Sequence, residues 1–325
     1  METQEPLETN EEENEKIPAA ITDIGCEREI NEDRYAVIDS VNGRAWICCD
    51  GMGGSLGGEL AAQLAIDAIR RVFETGDFAN SEQALKSSID EANRIILLRR
   101  QNPAFSSMGT TVVGAIINND QVVITHAGDS RAYLVREGEI KQLTKDHTYV
   151  QDLVDRGNIS PEEALSHPQS HVLTKCLGAQ PRLGLETSSF WIWDNTEAKD
   201  YLVLCTDGLY SLVTDQEIAY QINNFSPQKA CVNLVELARN RGGFDNITLT
   251  VLPMSGELKT ERDETKVVVE STKKKSVFST SSTLTTKNPV VNPISNLDQK
   301  KKILLVVTAA LILFAALVFL VLKLL

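Results

Sequence analysis

Residues 44–54 read RAWICCDGMGG. An apolar run from Ala45 to Cys49 stops at Asp50, and a loop nearly without side chains follows: Gly51, Met52, Gly53 and Gly54. A short run bounded by glycine predicts a buried strand. A carboxylate at the tip of such a strand borders a low-dielectric interior and is costly there unless a cation partners it. The glycines let backbone amides and carbonyls approach a ligand that side chains would block. Two later stretches repeat the design: YLVLCT (201–206) ends in Asp207-Gly208, and Asp245-Asn246 opens ITLTV (247–251). If those two strands pair antiparallel, Asp207 and Asp245 are neighbours. A single Asp-Gly is ordinary turn chemistry. Three apolar strands, each tipped by Asp, predict one acidic pocket at the end of a sheet.

The chain has 325 residues, room for one large domain with appendages, and its net charge of -13 argues against a nucleic-acid partner. Much of that charge is local: residues 1–16 carry seven Glu against one Lys, the composition of a disordered acidic arm. The six cysteines form no C-x-x-C pair, and several sit inside apolar runs. They read as small core residues in a reducing compartment rather than disulfides or zinc ligands. No basic, apolar leader pattern opens the chain.

Outward from the opening stretch, residues 17–24 and 34–39 read as strands, with Asn42-Gly43 as a hairpin turn. Between them TDIGCEREINED (22–33) concentrates Arg28, Glu32 and Asp33. Residues 57–73 and 81–100 have helical apolar spacing, Ser81 being the candidate cap of the second. Strands are expected at 112–117, 121–127, 131–135 and 140–143, with Asp129 in a turn between two of them. Residues 146–180 form a polar excursion resembling a flap: a helix at 147–156, then another opened by Ser160-Pro161 with Glu163 closing a capping box. Strands return at 189–193, 201–206 and 246–252, and helices start at the Thr214-x-x-Glu217 box and at Ser226-Pro227. Residues 256–302 read as a flexible linker. Residues 303–322, ILLVVTAALILFAALVFLVL, carry no charge, and at about 1.5 Å rise per residue they span a bilayer's hydrocarbon layer. Lys300, Lys301 and Lys302 flank the span, which places the large N-terminal part in the cytoplasm.

TDIGCEREINED, DGMGG, GTTVVGAI, HAGDSRAYLV, LTKDHTYVQDLVDRG, VLTKCLG, CTDGLYSLVTDQE and GGFDNITLTVL follow one another in this order. The series resembles the type 2C (PPM) family of metal-dependent Ser/Thr protein phosphatases, bacterial branch, over residues of about 18 to 253. The resemblance implies an α+β fold: a central antiparallel β-sandwich flanked by helix pairs, four layers α-β-β-α, occupying 17–255. The linker, the single transmembrane helix (303–322) read from its uncharged run, and a short tail (323–325) follow it. It implies hydrolysis of phosphoserine and phosphothreonine by water bridging two Mn²⁺ or Mg²⁺ ions. It makes Asp50 the catalytic carboxylate bridging them, the Gly51 carbonyl a ligand of the second, and Asp207 and Asp245 further ligands of the first. Asp129 matches a ligand of a third ion, where Ser211 replaces a common Asp. Arg28 matches the catalytic arginine that binds the substrate phosphate, and Glu32 and Asp33 match positions acting through metal-bound water. Met52 stands where eukaryotic members carry a His proposed as general acid.

The chemistry of these residues agrees with those roles. Oxygen ligands suit Mg²⁺ or Mn²⁺ rather than zinc, and a guanidinium offers a planar fork to two phosphate oxygens. His147 is expected to be a structural, hydrogen-bonded histidine, and His126, His167 and His171 show no metal-ligand spacing. The expected partners are phosphoproteins, an opposing Ser/Thr kinase and the lipid bilayer, with the phosphatase domain on the cytoplasmic face of the cell membrane. The competing readings are a pseudophosphatase that binds phosphoproteins without cleaving them, and a membrane scaffold.

Overall fold

The structure, a computed structural model, describes residues 17–54, 57–118, 121–191 and 200–254. The expected arm, linker, membrane span and tail lie outside these residues. Among the described residues no helix is long and apolar enough to cross a membrane.

The strands are β1 (Ala19–Asp23), β2 (Arg34–Ser40), β3 (Gly43–Cys49), β4 (Gly51–Met52), β5 (Gly109–Thr110), β6 (Val112–Asn118), β7 (Gln121–Ala127), β8 (Arg131–Arg136), β9 (Glu139–Gln142), β10 (Thr187–Trp191), β11 (Asp200–Cys205) and β12 (Ile247–Pro253). The helices are α1 (Gly57–Thr75), α2 (Ser81–Arg99), α3 (Tyr149–Asp155), α4 (Pro161–Leu165), α5 (Asp207–Tyr210), α6 (Asp215–Asn224) and α7 (Pro227–Asn240). Two five-stranded sheets form, ordered β1-β12-β11-β8-β9 and β10-β7-β6-β3-β2, and β4 pairs with β5 alone. Every pairing is antiparallel.

The two-residue period of a strand explains the layers. On β3, Trp46 and Cys48 point between the sheets, where they meet Val113, Leu202 and Leu204. Ile47 and Cys49 point the other way, against Ile69, Phe73, Leu85 and Ile89 of α1 and α2. On β11, Val203 and Cys205 likewise turn outward to Ile218, Ile222 and Leu234 of α6 and α7. The result is helices, sheet, sheet, helices, the α+β arrangement expected from the resemblance. The four cysteines inside these clusters or strands, Cys48, Cys49, Cys205 and Cys231, are buried free thiols.

Local signals were mostly accurate to within two residues. The boxes at Ser160 and Thr214 both close, each hydroxyl accepting from the backbone N–H three residues on. Four readings need correction. The strands tipped by Asp50, Asp207 and Asp245 lie in two sheets, not one. Asn80, not Ser81, caps α2, its side chain accepting from the Gln83 N–H at 2.9 Å; Ser81 is already helical and buried. The β2–β3 turn is Val41-Asn42, since Ser40 pairs with Gly43, and Asn42 instead ties the hairpin to the carbonyls of Phe73 and Gly76. Asp207 is the first residue of a helical turn rather than the tip of its strand.

Candidate active site

Strand register alone brings the predicted carboxylates together. Cys48 pairs with Val113, which sets Asp50 beside Thr111. Val112 pairs with Ala127, bringing the turn that holds Asp129 to the same end. Arg131 pairs with Cys205, which puts Asp129 near Asp207, and Cys205 pairs with Leu249, which puts Asp207 near Asp245. A pocket of about 440 Å³ opens at that shared end of the sandwich, lined by Arg28, Glu32, Asp50, Gly51, Met52, Asp129, His171, Leu173, Asp207 and Asp245 among others. Asp33 does not line it: 1% exposed, it lies behind, accepting from the Thr206 hydroxyl at 2.8 Å.

The backbone of Asp50 is fixed from both sides. Its N–H donates to Thr111 Oγ1 at 3.0 Å, and its carbonyl accepts from the Thr111 N–H and the Thr110 hydroxyl, each at 2.8 Å. Gly51 has no room for a side chain, since a Cβ there would lie 2.1 Å from the Gly58 carbonyl oxygen. Asp129 is held by a chain of contacts. Arg131 grips Asp146 with two nitrogens (Nη2–Oδ2 2.7 Å), stacks 3.6 Å over the Tyr210 ring, and the Tyr210 hydroxyl donates to the Asp129 carbonyl at 2.9 Å. Asn246 joins the Arg28 loop to β12, accepting from the Glu32 N–H at 2.8 Å and donating to the carbonyls of Ile24 and Ile30.

Crowded, buried carboxylates resist ionisation. Burial, then Asp33, Asp207 and Asp129, hold the Asp50 carboxyl well above the usual carboxylate range. Burial and then Asp207 push Asp129 up to about 8. Asp207 is raised by burial and Asp245, and Asp33 rises to about 7, chiefly through burial. Two buried oxygens in this group, Asp207 Oδ1 and Glu32 Oε1, have no hydrogen-bond partner. Unpaired buried carboxylate oxygens among like charges fit a cationic ligand. The donors are all hard oxygens, the set that suits Mg²⁺ or Mn²⁺. Among the described residues no three His, Cys, Asp or Glu side chains already form a ligand cage. An ion here would take a few protein oxygens and keep several waters, the usual state of Mg²⁺.

Arg28 sits at the mouth, 46% exposed, with Nη2 2.7 Å from Asp245 Oδ2 and Nη1 3.9 Å from Glu32 Oε2. His147 is structural as expected: its Nδ1 accepts from the Gly128 N–H at 3.2 Å, it stacks on His126, and burial lowers it to about 3. His171 corrects the reading that gave it no place. It lines the pocket, with Nδ1 3.9 Å from Asp207 Oδ2. Its position depends on how the flap folds back, which no local spacing encodes. The sequence reading also gave no part to Thr110, Thr111, Arg131, Tyr210 or Asn246. GTTVVGAI, HAGDSRAYLV, CTDGLYSLVTDQE and GGFDNITLTVL contain all five, so the motifs were the available signal.

A model of the protein phosphatase 2C family matches residues 40–153. The chain is 36% identical over 235 residues to the serine/threonine protein phosphatase PstP of Mycobacterium tuberculosis, covering 72% of this chain but 44% of that protein, so it spans less than half of that relative's length. It is 34% identical over 245 residues to a putative protein phosphatase 2C-type protein of Streptococcus pyogenes, covering 73% of this chain and 96% of the relative. In three dimensions it resembles the catalytic domain of serine threonine protein phosphatase PstP in complex with two manganese ions, with TM-score 0.63 and 32% identity over 72% of this chain and 96% of that one. Fold and site thus define the class, the protein phosphatase 2C fold with an acidic pocket at the shared end of its two sheets. The chain belongs to the protein phosphatase 2C family.

Proposed function

We propose that this chain hydrolyses phosphoserine and phosphothreonine esters of proteins in a reaction dependent on two Mn²⁺ or Mg²⁺ ions, opposing a Ser/Thr kinase. The observation that carries this is the convergence of Asp50, Asp129, Asp207 and Asp245 on one pocket with Arg28 at its mouth. Asp50, the Gly51 carbonyl, Asp207 and Asp245 would hold the two ions, with Asp129 reserved for a third. Bound divalent ions supply Lewis acidity there, lowering the pKa of water and neutralising phosphoryl charge.

The remaining work belongs to the chain. Arg28 keeps free N–H groups beside its bond to Asp245 and offers them to phosphate oxygens. The fixed Asp50 backbone and the half-buried chain from Asp146 to Asp129 hold the carboxylates in place before substrate arrives, so little reorganisation is left to the reaction. Glu32 in the pocket wall and Asp33 behind it act through water held at the site. With Met52 in the pocket wall and no acidic side chain in its place, the leaving hydroxyl takes its proton from water.

The test is dephosphorylation of a phosphothreonine peptide by the full-length chain with Mn²⁺, beside Asp207→Asn and an EDTA control. Turnover is expected with Mn²⁺ only, falling at least a hundredfold in the variant; full turnover in EDTA would refute the reading. We place the enzyme at the cell membrane as a single-pass protein, anchored through residues 303–322 with the phosphatase domain cytoplasmic. Support comes from the uncharged stretch and its flanking lysines. Recovery in the soluble rather than the membrane fraction of cells would count against the anchor.

A further inference from the structure

Between β9 and β10 the chain leaves the sandwich, forms α3 and α4, and returns through residues 172–186. Two residues near the start of that return, His171 and Leu173, form part of the pocket wall. Some of the bonds holding them join the flap only to itself. The Tyr149 N–H donates to the Val172 carbonyl and the Thr174 N–H to the His147 carbonyl, each at 2.8 Å. His147 in turn bonds Gly128 of the sandwich, and further ties to the rest of the molecule come along the return leg. Leu177 pairs with Thr110, and beyond it the loop meets α2. There the Gly178 N–H donates to Asn93 Oδ1 at 2.7 Å, and Asn93 Nδ2 donates to the Gln180 carbonyl at 2.9 Å. Arg100, at the end of the same helix, donates to the Gly178 carbonyl and, through Nε, to the Ser106 carbonyl at 2.8 Å.

Asn93 is an odd choice for its position. It lies inside α2, 2% exposed, between Ala92 and Ile96, which face the apolar core. Asparagine is a poor helix former, and a buried amide is costly unless bonded. Helix geometry already satisfies its own backbone, so both ends of the side-chain amide are free to bond the flap root. The fit is close: Gly178 has φ +88, and a Cβ there would lie 2.6 Å from Ile96 Cγ2.

We infer that Asn93 is a positioning residue for substrate recognition. It fixes the return leg of the flap so that His171 and Leu173 meet the polypeptide around the phosphorylated residue. This rests on the phosphatase reading but concerns a different part of the substrate. The phosphate meets the carboxylate floor and Arg28, none of which Asn93 touches. A protein substrate must also pass the wall, whereas a small aryl phosphate need not.

The test uses the full-length chain, with Asn93→Ala and Asn93→Asp; the latter keeps the acceptor for the Gly178 N–H and loses the donor to Gln180. Hydrogen exchange without metal reads the clamp directly, and steady-state kinetics with Mn²⁺ read its consequence. In Asn93→Ala, which loses both bonds, amides of residues 172–180 should exchange at least about fivefold faster, more than the weight of one net hydrogen bond, with β3 and β11 unchanged. KM for a phosphothreonine peptide should rise about fivefold or more, with kcat within about twofold and both constants for para-nitrophenyl phosphate within about twofold. Asn93→Asp should fall between. Unchanged exchange at 172–180, or equal losses on both substrates, would overturn the proposal. If Asn93→Ala does not fold, Asn93→Asp decides on the same readings. Failure of the phosphatase reading looks different: the unsubstituted chain turns over neither substrate.

Discussion

Asp129 shows what the pocket costs the fold. Its folded pKa, about 8, lies above the ordinary carboxylate value of 3.8. Between those values the folded state binds the extra proton, so metal-free stability falls as pH rises across that window and the loss is absent below it. Asp129→Asn should therefore raise the thermal midpoint in EDTA by a few degrees at pH 8, with the gain vanishing near pH 4. An equal gain at both values would show that charge is not the cause. Arg28 makes the opposite case, a residue placed for ligand rather than fold. Half-exposed and paired across the mouth, it adds little stability. Arg28→Lys keeps the charge but loses the planar fork. kcat/KM on a phosphopeptide should drop roughly 10- to 100-fold, the weight of charge-assisted hydrogen bonds, with the midpoint nearly unmoved.

At the scale of elements, α6 carries the clearest local prediction. Arg241 and then the Thr214 N–H and hydroxyl pull the Glu217 carboxyl to about 2. The folded value is depressed, so its stabilisation is present above the ordinary value of 4.5 and is lost as pH falls toward 2. Thr214→Ala should cost about 1 kcal/mol at pH 7. The difference in midpoint between Glu217→Gln and the unsubstituted chain should shrink between pH 6 and pH 3; a difference independent of pH would remove the charge from the explanation. Elements of this kind were legible beforehand because their signals lie within a few residues: the box at Thr214, the run before Asp50, the turn holding Asp129. What local pattern could not give is partnership at a distance. Tyr210 holds the Asp129 carbonyl from 81 residues away, and β3 joins a different sheet from β11 although the two read alike. His171 escaped for the same reason, since only the folded return of the flap aims it at Asp207. The site residues named from the motifs converge on the pocket, with Asp33 behind it, because the motifs carry the long-range information that periodicity lacks.

For the whole molecule, the sheet order β1-β12-β11 has a consequence. Among the described residues β1's only neighbour in its sheet is β12, and β12 also supplies the seat for Asp245 through the adjoining loop. A chain ending at residue 246 keeps every helix of the described residues but leaves β1 and one edge of β11 without partners. It should show no cooperative melting by circular dichroism; a sharp transition near that of the longer chain would contradict this. During biosynthesis, then, the first strand made cannot settle alone. That strand must wait, unpaired, until almost the entire globular portion has left the ribosome, so that closing its sheet and completing the acidic centre are a single late event.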